Sequence, residues 1–208
     1  MTEILMTDFI CGSLEWWLSG KEIKMRLDHI AYRVADRQKT AQFFIDSFGY
    51  KIQQEFQIDF ADGSKADCIA LEPPEKKGNH PWRKIIDVGL DAAAVIQKQE
   101  YHLAPEIFVS EGTPGSIVAD WVAARNGVGG IHHLAYQVDS VQKTMDEWRE
   151  KGYAEFTTQN PLSCPEDNLV QVFTKPSVLL GVIIEFIERG EHGFCKENVK
   201  QLMESSHE

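Results

Sequence analysis

Residues 28–34 read DHIAYRV, and residues 132–138 read HHLAYQV. The likeness continues beyond this stretch. Gln38, Lys39 and Thr40 return as Gln142, Lys143 and Thr144, and Gly49-Tyr50 returns as Gly152-Tyr153, with a slip of one residue over the whole span. Self-similarity at this distance marks a chain built from two copies of one supersecondary unit. Each copy sets a histidine at the same point of its opening strand, His29 in the first and His133 in the second, so a pseudo-twofold between the copies brings the two imidazoles to one place. The neighbouring His132 corresponds to Asp28; strict strand alternation turns it to the opposite face and gives it a structural role.

Working outward, each unit reads as βαβββ. In the first, a strand over 27–34 is followed by a helix from an Asp36 cap to Phe48, with Ala41, Phe44, Ile45 and Phe48 on one apolar face and Gly49 as the stop. Strands follow over 50–60 and 66–71 about an Asp62-Gly63 turn, and another over 106–110. An insertion over about 73–104, rich in Pro, Lys and Gly at its start and then helical over 91–99, precedes that last strand. The first module thus spans 25–115, a linking helix and glycine loop 116–130, the second module 131–190, and a C-terminal helix and tail 191–208. The second module repeats the order: strand 131–138, a helix capped by Asp139 or Ser140 with Val141, Met145 and Trp148 inward, then strands over 153–158, 169–174 and 181–187. The resulting class is α+β, two tandem modules in a curved, incomplete, eight-stranded barrel-like sheet. Residues 1–24 stand apart as an N-terminal extension, in which 8–18 carries Phe9, Leu14, Trp16 and Trp17 at amphipathic-helix spacing. Gly127, Gly129 and Gly130 do not form a dinucleotide loop, since a strand follows them rather than a helix.

Composition narrows the function. The chain has 208 residues and a net charge of −11, with nothing resembling a basic face, so nucleic acid and anionic membrane surfaces are poor partners. No apolar run has transmembrane length and no secretory signal is visible. Cys11, Cys68, Cys164 and Cys195 are widely spaced without a C-x-x-C pair, which reads as reduced thiols in a cytoplasmic protein.

Glu185 is the remaining chemical clue. It lies in an apolar strand, with Ile183 and Ile187 on its own face, and a carboxylate there needs a cationic partner. Two imidazoles and one carboxylate with open positions beside them form the facial triad of non-haem Fe(II) oxygenases.

With these residues in hand, residues 25–190 resemble the vicinal oxygen chelate superfamily. The stretches GVGGIHHLAYQVDSV (127–141), LVQVFTKPS (169–177) and IIEFIERGEHGFCKENVKQLMES (183–205) most resemble the iron-binding domain of the 4-hydroxyphenylpyruvate dioxygenase family. The resemblance implies Fe(II) held by His29, His133 and Glu185, and Fe(II)- and O2-dependent oxidation of a small-molecule 2-oxo acid. It further implies substrate contacts from Gln171, Phe194 and Asn198, and allows a homodimer. The chain departs from that family where Ser110 and Ile117 replace an asparagine and a glutamine, which separates it from 4-hydroxyphenylpyruvate itself more than from the metal site. It also lacks the second pair of modules that the family carries ahead of its iron domain.

An alternative remains. The stretch SIVADWVAARNGVGGIHHLAY (116–136) also resembles methylmalonyl-CoA epimerase. In that branch, as in glyoxalase I, the last strand of the first module adds a fourth ligand. Glu106 would then complete a Ni(II), Co(II), Zn(II) or Mn(II) site for an isomerase, epimerase or lyase. A second alignment places Phe108 there instead and leaves that position without a ligand. The third possibility, a metal-free small-molecule binding or resistance protein of the same superfamily, usually loses the ligand positions that this chain retains.

Overall fold

The structure, a computed structural model, describes residues 25–74, 104–164 and 166–206. The N-terminal extension and most of the insertion, including its expected helix, lie outside the described residues. Eight strands form one sheet: β1 (Met25–Arg33), β2 (Lys51–Asp59), β3 (Lys65–Glu72), β4 (Glu106–Gly112), β5 (Gly130–Val138), β6 (Leu162–Ser163), β7 (Val170–Phe173) and β8 (Ile183–Glu188). They are joined by α1 (Arg37–Phe48), α2 (Ile117–Ala123) and α3 (Val141–Glu150), and α4 (Lys196–Ser205) ends the described chain. The strand order β2-β3-β4-β1-β5-β8-β7-β6 is that of two βαβββ modules set side by side and curled into a half-barrel. In each module the last strand inserts parallel to the first, β4 beside β1 and β8 beside β5. The modules join through the antiparallel β1–β5 pair, so the two histidine-bearing strands lie at the centre of the sheet.

Alternation sorts the side chains. Ile30 and Tyr32 of β1 turn outward to Ala41, Phe44 and Ile45 of α1. Ile184 and Phe186 of β8 turn outward to Val141 and Met145 of α3. The opposite, concave face carries Ala31, Phe108 and Ala70, which α4 covers with Val199 and Met203. Asp36 caps α1 by accepting from the Lys39 amide at 2.9 Å, and Gly49 ends it in the left-handed region at φ 74°. Ser140, rather than Asp139, caps α3.

Three expectations need correction. Phe48 does not join the inward face of α1: it is 56 % exposed, in the last turn, edge-on to Phe43 and tilted against Phe44. The strand expected over 153–158 is reduced to a single bridge between Phe156 and Thr174. The chain instead pairs with β7 at Leu162 and Ser163, just after Pro161, which lacks an amide for continuous edge pairing. Finally, Cys164 and Cys195 form a disulfide across a Cα–Cα distance of 6.2 Å, so they are not free thiols; Cys68 is free and buried. The two lie 31 positions apart in sequence, and only the return of the chain after β8 brings them together. Among the described residues no helix is long and apolar enough to cross a membrane.

Candidate metal centre

The central strand pair is not regular. Between β1 and β5, Leu27 faces Tyr136 and His29 faces Ala135, so Asp28 is an extra residue on β1. Further along, Ala31 faces His133 and Tyr32 faces Ile131, so His132 is an extra residue on β5. A bulge of this kind breaks the alternation and re-aims the side chains at it. His132 therefore does not leave the concave side as alternation predicts. Its ring lines the same cavity as His133, and its Nδ1 lies 2.9 Å from His133 Nδ1. On β1, Asp28 Oδ1 lies 2.8 Å from His29 Nδ1. In both modules the bulged residue engages Nδ1 of the next histidine and leaves its Nε2 directed at the centre. Sequence reasoning missed this pair of partners; the signal available was a polar residue immediately before each histidine.

At the centre, His29 Nε2 and His133 Nε2 are 3.2 Å apart, and Glu185 Oε2 lies 3.2 Å from the first and 3.0 Å from the second. Cation–ligand bonds of about 2.1 Å at right angles would place neighbouring ligand atoms about 3.0 Å apart, close to this triangle. The donor set thus fits one face of an octahedral ion. His29, His133 and Glu185 are all buried. Burial opposes charge on His29, but the Glu185 and Asp28 carboxylates outweigh it and raise the imidazole to about 9. Burial likewise opposes ionisation of Glu185, yet the two histidines hold it down at about 2. His133 is lowered, chiefly by burial. Without an ion, then, a single proton on His29 balances Glu185.

The surrounding residues are committed to this arrangement. Gln171 Nε2 donates to Glu185 Oε1 at 2.7 Å, and Asn198 Nδ2 on α4 donates to Gln171 Oε1 at 3.2 Å. Gln171 lines the cavity; Asn198 is buried behind it. Phe194 meets the His29 ring edge-on at 5.0 Å and closes the cavity beside Phe108. The space left at the centre is about 30 Å³.

Phe108 faces Ala31 on β4, just as Glu185 faces Ala135 on β8, so Phe108 is the positional counterpart of Glu185. Glu106 lies one step earlier on the same face, opposite His29. Its Oε2 accepts from Arg189 Nη2 at 2.7 Å, and Arg189 also grips Asp28 through Nε at 2.9 and 3.0 Å and through Nη2. The cluster of ligand atoms contains His29, His133 and Glu185 and not Glu106.

Comparison with solved structures returns the same half-barrel. A 4-hydroxymandelate synthase variant from Streptomyces coelicolor superposes with a TM-score of 0.65 at 20% identity, over 88% of this chain and 54% of that one. This chain therefore spans about half the length of that protein. A hypothetical protein from Bacillus halodurans C-125 gives 0.54 at 22% identity, covering 82% and 99% of the two chains. Methylmalonyl-CoA epimerase from Mycobacterium tuberculosis gives 0.53 at 20%, covering 78% and 87%. At such identities these likenesses speak to the fold alone. No curated protein matches in sequence. Residues 28–163, from the bulged Asp28 through both histidine strands to β6, match one family, and the chain accordingly belongs to the Glyoxalase/Bleomycin resistance protein/Dioxygenase superfamily.

Proposed function

We propose that the protein is a non-haem Fe(II) dioxygenase that oxidises a 2-oxo acid. The observation that carries this reading is the three-ligand face itself: His29, His133 and Glu185 converge, while β4 offers the aromatic ring of Phe108 at the position matching Glu185. A cation held by these three side chains would leave room beside it for a 2-oxo acid and for dioxygen. When bound, Fe(II) would supply dioxygen activation and oxidative decarboxylation. The chain's own residues do the rest. Asp28 and His132 hold the two imidazoles with Nε2 forward, Gln171 and Asn198 fix the Glu185 carboxylate, and Phe194, Phe108 and Phe173 keep water from the chamber.

The test is dioxygen uptake by Fe(II)-loaded protein with a panel of aryl 2-oxo acids. One CO2 released per dioxygen consumed is expected with at least one member. Silence across the panel from protein that binds Fe(II) stoichiometrically would overturn the reading.

An isomerase-type site would instead need Glu106 as a fourth ligand, and Arg189 already holds that carboxylate. Glu106→Gln is expected to leave Co(II) affinity within about twofold, measured by competition with a chromophoric chelator. A loss as large as that expected for removal of a coordinating group would favour the four-ligand site.

A pH dependence follows from His29. The metal must displace its proton, so Co(II) affinity should rise with pH, about tenfold per unit up to about 9, with one proton released per ion. Glu185 stays ionised throughout this range. The metal-free fold runs the other way. With its pKa raised from 6.5 to about 9, His29 contributes its full stabilisation below 6.5 and loses it as pH climbs through 9. Chelator competition at several pH values, paired with thermal melts of the metal-free protein, checks both slopes.

A further inference from the structure

A second cavity of about 280 Å³ adjoins the metal chamber, sharing Arg33 and His132 with it. Trp121 and Arg125 of the α2 segment, Ile183 of β8 and Ser206 at the end of α4 form much of its remaining wall. Arg33 ends β1 on the face that carries His29 and Ala31, and it is 2 % exposed. Its neighbours are unusual for a buried guanidinium. Nη2 donates to Ser206 Oγ at 3.2 Å, and the group lies 5.9 Å from the Trp121 ring. Arg125 lies over the same indole at 3.6 Å. Among the described residues neither arginine has a carboxylate partner, although Asp120 also lines the cavity. Arg189, by contrast, is matched by both Asp28 and Glu106.

A buried cation without a counter-ion is costly, and a second cation beside it adds to the cost. Burial and the Arg125 charge hold Arg33 down at about 9, still protonated at neutral pH. Among the described residues the missing element is an anion, and the cavity beside Arg33 has room for one. Arginine's planar fork suits carboxylate and phosphate oxygens, which it can bind in pairs.

We propose that Arg33, supported by Arg125 on Trp121, is a receptor for an anionic group, a carboxylate or a phosphate, at the end of the substrate remote from the metal. His29 and Arg33 stand four residues apart on one strand, about 13 Å between Cα atoms. An aromatic spacer between two acid groups suits that span. The substrate class is then a 2-oxo acid carrying a second acidic group. This part rests on the 2-oxo acid reading above; the receptor itself does not.

The first measurement uses metal-free full-length protein, so that the metal plays no part. Its melting temperature is followed with increasing benzoate or phenyl phosphate, against sodium chloride of equal ionic strength. At least one of the two is expected to raise it saturably by about 3 °C or more, and which one does so identifies the anion. Arg33→Met should abolish the shift, and in chloride alone it should melt at or above the wild-type temperature, since it removes an unmatched buried charge. Arg125→Gln, at an exposed position, should weaken the anion at least threefold. A shift absent from wild type, a shift equal in R33M, or an R33M protein that fails to fold would each overturn the receptor.

The second measurement uses Co(II)-loaded protein. There 4-carboxyphenylpyruvate should bind at least tenfold more tightly than 4-methylphenylpyruvate, and R33M should erase the difference. Equal binding of the two acids would sink the receptor and leave the 2-oxo acid reading standing. Binding of neither, with the anion shift intact, would sink the 2-oxo acid reading and leave the receptor.

Discussion

Glu185→Ala is expected to lower Co(II) affinity by at least about a hundredfold and, on the dioxygenase reading, to abolish Fe(II)-dependent dioxygen uptake. The carboxylate is 1 % exposed and stands 3.2 and 3.0 Å from the two imidazoles. Its removal deletes the anionic member of the donor set, and the effect should exceed the 10- to 100-fold typical of losing a group behind a ligand. Gln171 would also lose the acceptor for its amide, at a cost of about 1–3 kcal/mol in a dry site. Glu185→Gln separates these effects, because its amide oxygen can still accept from Gln171 while the charge is gone. E185Q should keep the Gln171 contact and so melt above E185A, below wild type because the charge that raises His29 is gone, and it should bind metal as poorly as E185A. Glu155→Gln, in an exposed ion pair with Lys175, is the control. Metal content after chelator-free purification and Co(II) titration report the outcome. Wild-type metal retention by E185A would remove Glu185 from the site.

Asp28→Ala should produce the second large effect, in stability and metal binding together. Asp28 is buried against Arg189 and against Nδ1 of His29. Removing one partner of a buried pair leaves the other charge poorly matched, a loss of about 3–5 kcal/mol. That corresponds to a melting-temperature drop of about 6–20 °C for a domain of this size. The His29 ring also loses the acceptor that holds its Nε2 forward, so metal affinity should fall about 10- to 100-fold. Asp28→Asn keeps an oxygen for His29 Nδ1–H but not the charge for Arg189, and should recover most of the metal affinity and little of the stability. The pH dependence has a definite sign. Burial opposes ionisation of Asp28, but His29 and Arg189 prevail and hold it well below its ordinary 3.8. Its contribution is therefore complete above about 3.8 and is lost as pH falls further below it, and the gap between wild type and D28A should narrow only in strong acid. A D28A protein with unchanged melting temperature and unchanged Co(II) affinity would show that the bulge residue is a bystander.

The paired modules were legible because the repeat is written in residue types that any reading can compare, and because β-alternation and helix caps act over a few residues. Asp36 and Gly49 bound α1 through contacts with their own turn. His29, His133 and Glu185 could be singled out by position in the repeat and by the oddity of a carboxylate among isoleucines. The linkage of Cys164 to Cys195 was hidden, since neither spacing nor composition pairs them. So was the choice between Glu106 and Phe108, which are two residues apart on one face of β4 and differ only in how that strand registers against β1.

The sequence by itself determined the architecture and the three groups that meet at its centre, because periodicity, capping and duplication are local or self-referring. Only the tertiary structure decided how those groups are aimed. The bulges at Asp28 and His132 exist in the offset of hydrogen bonds between two strands that lie far apart in the chain. One extra residue in each strand turns a side chain assigned to the far face into the partner of its neighbour. It is the same non-local pairing, closed by α4, that leaves Arg33 inside the barrel with a cavity beside it and, among the described residues, no carboxylate to meet it.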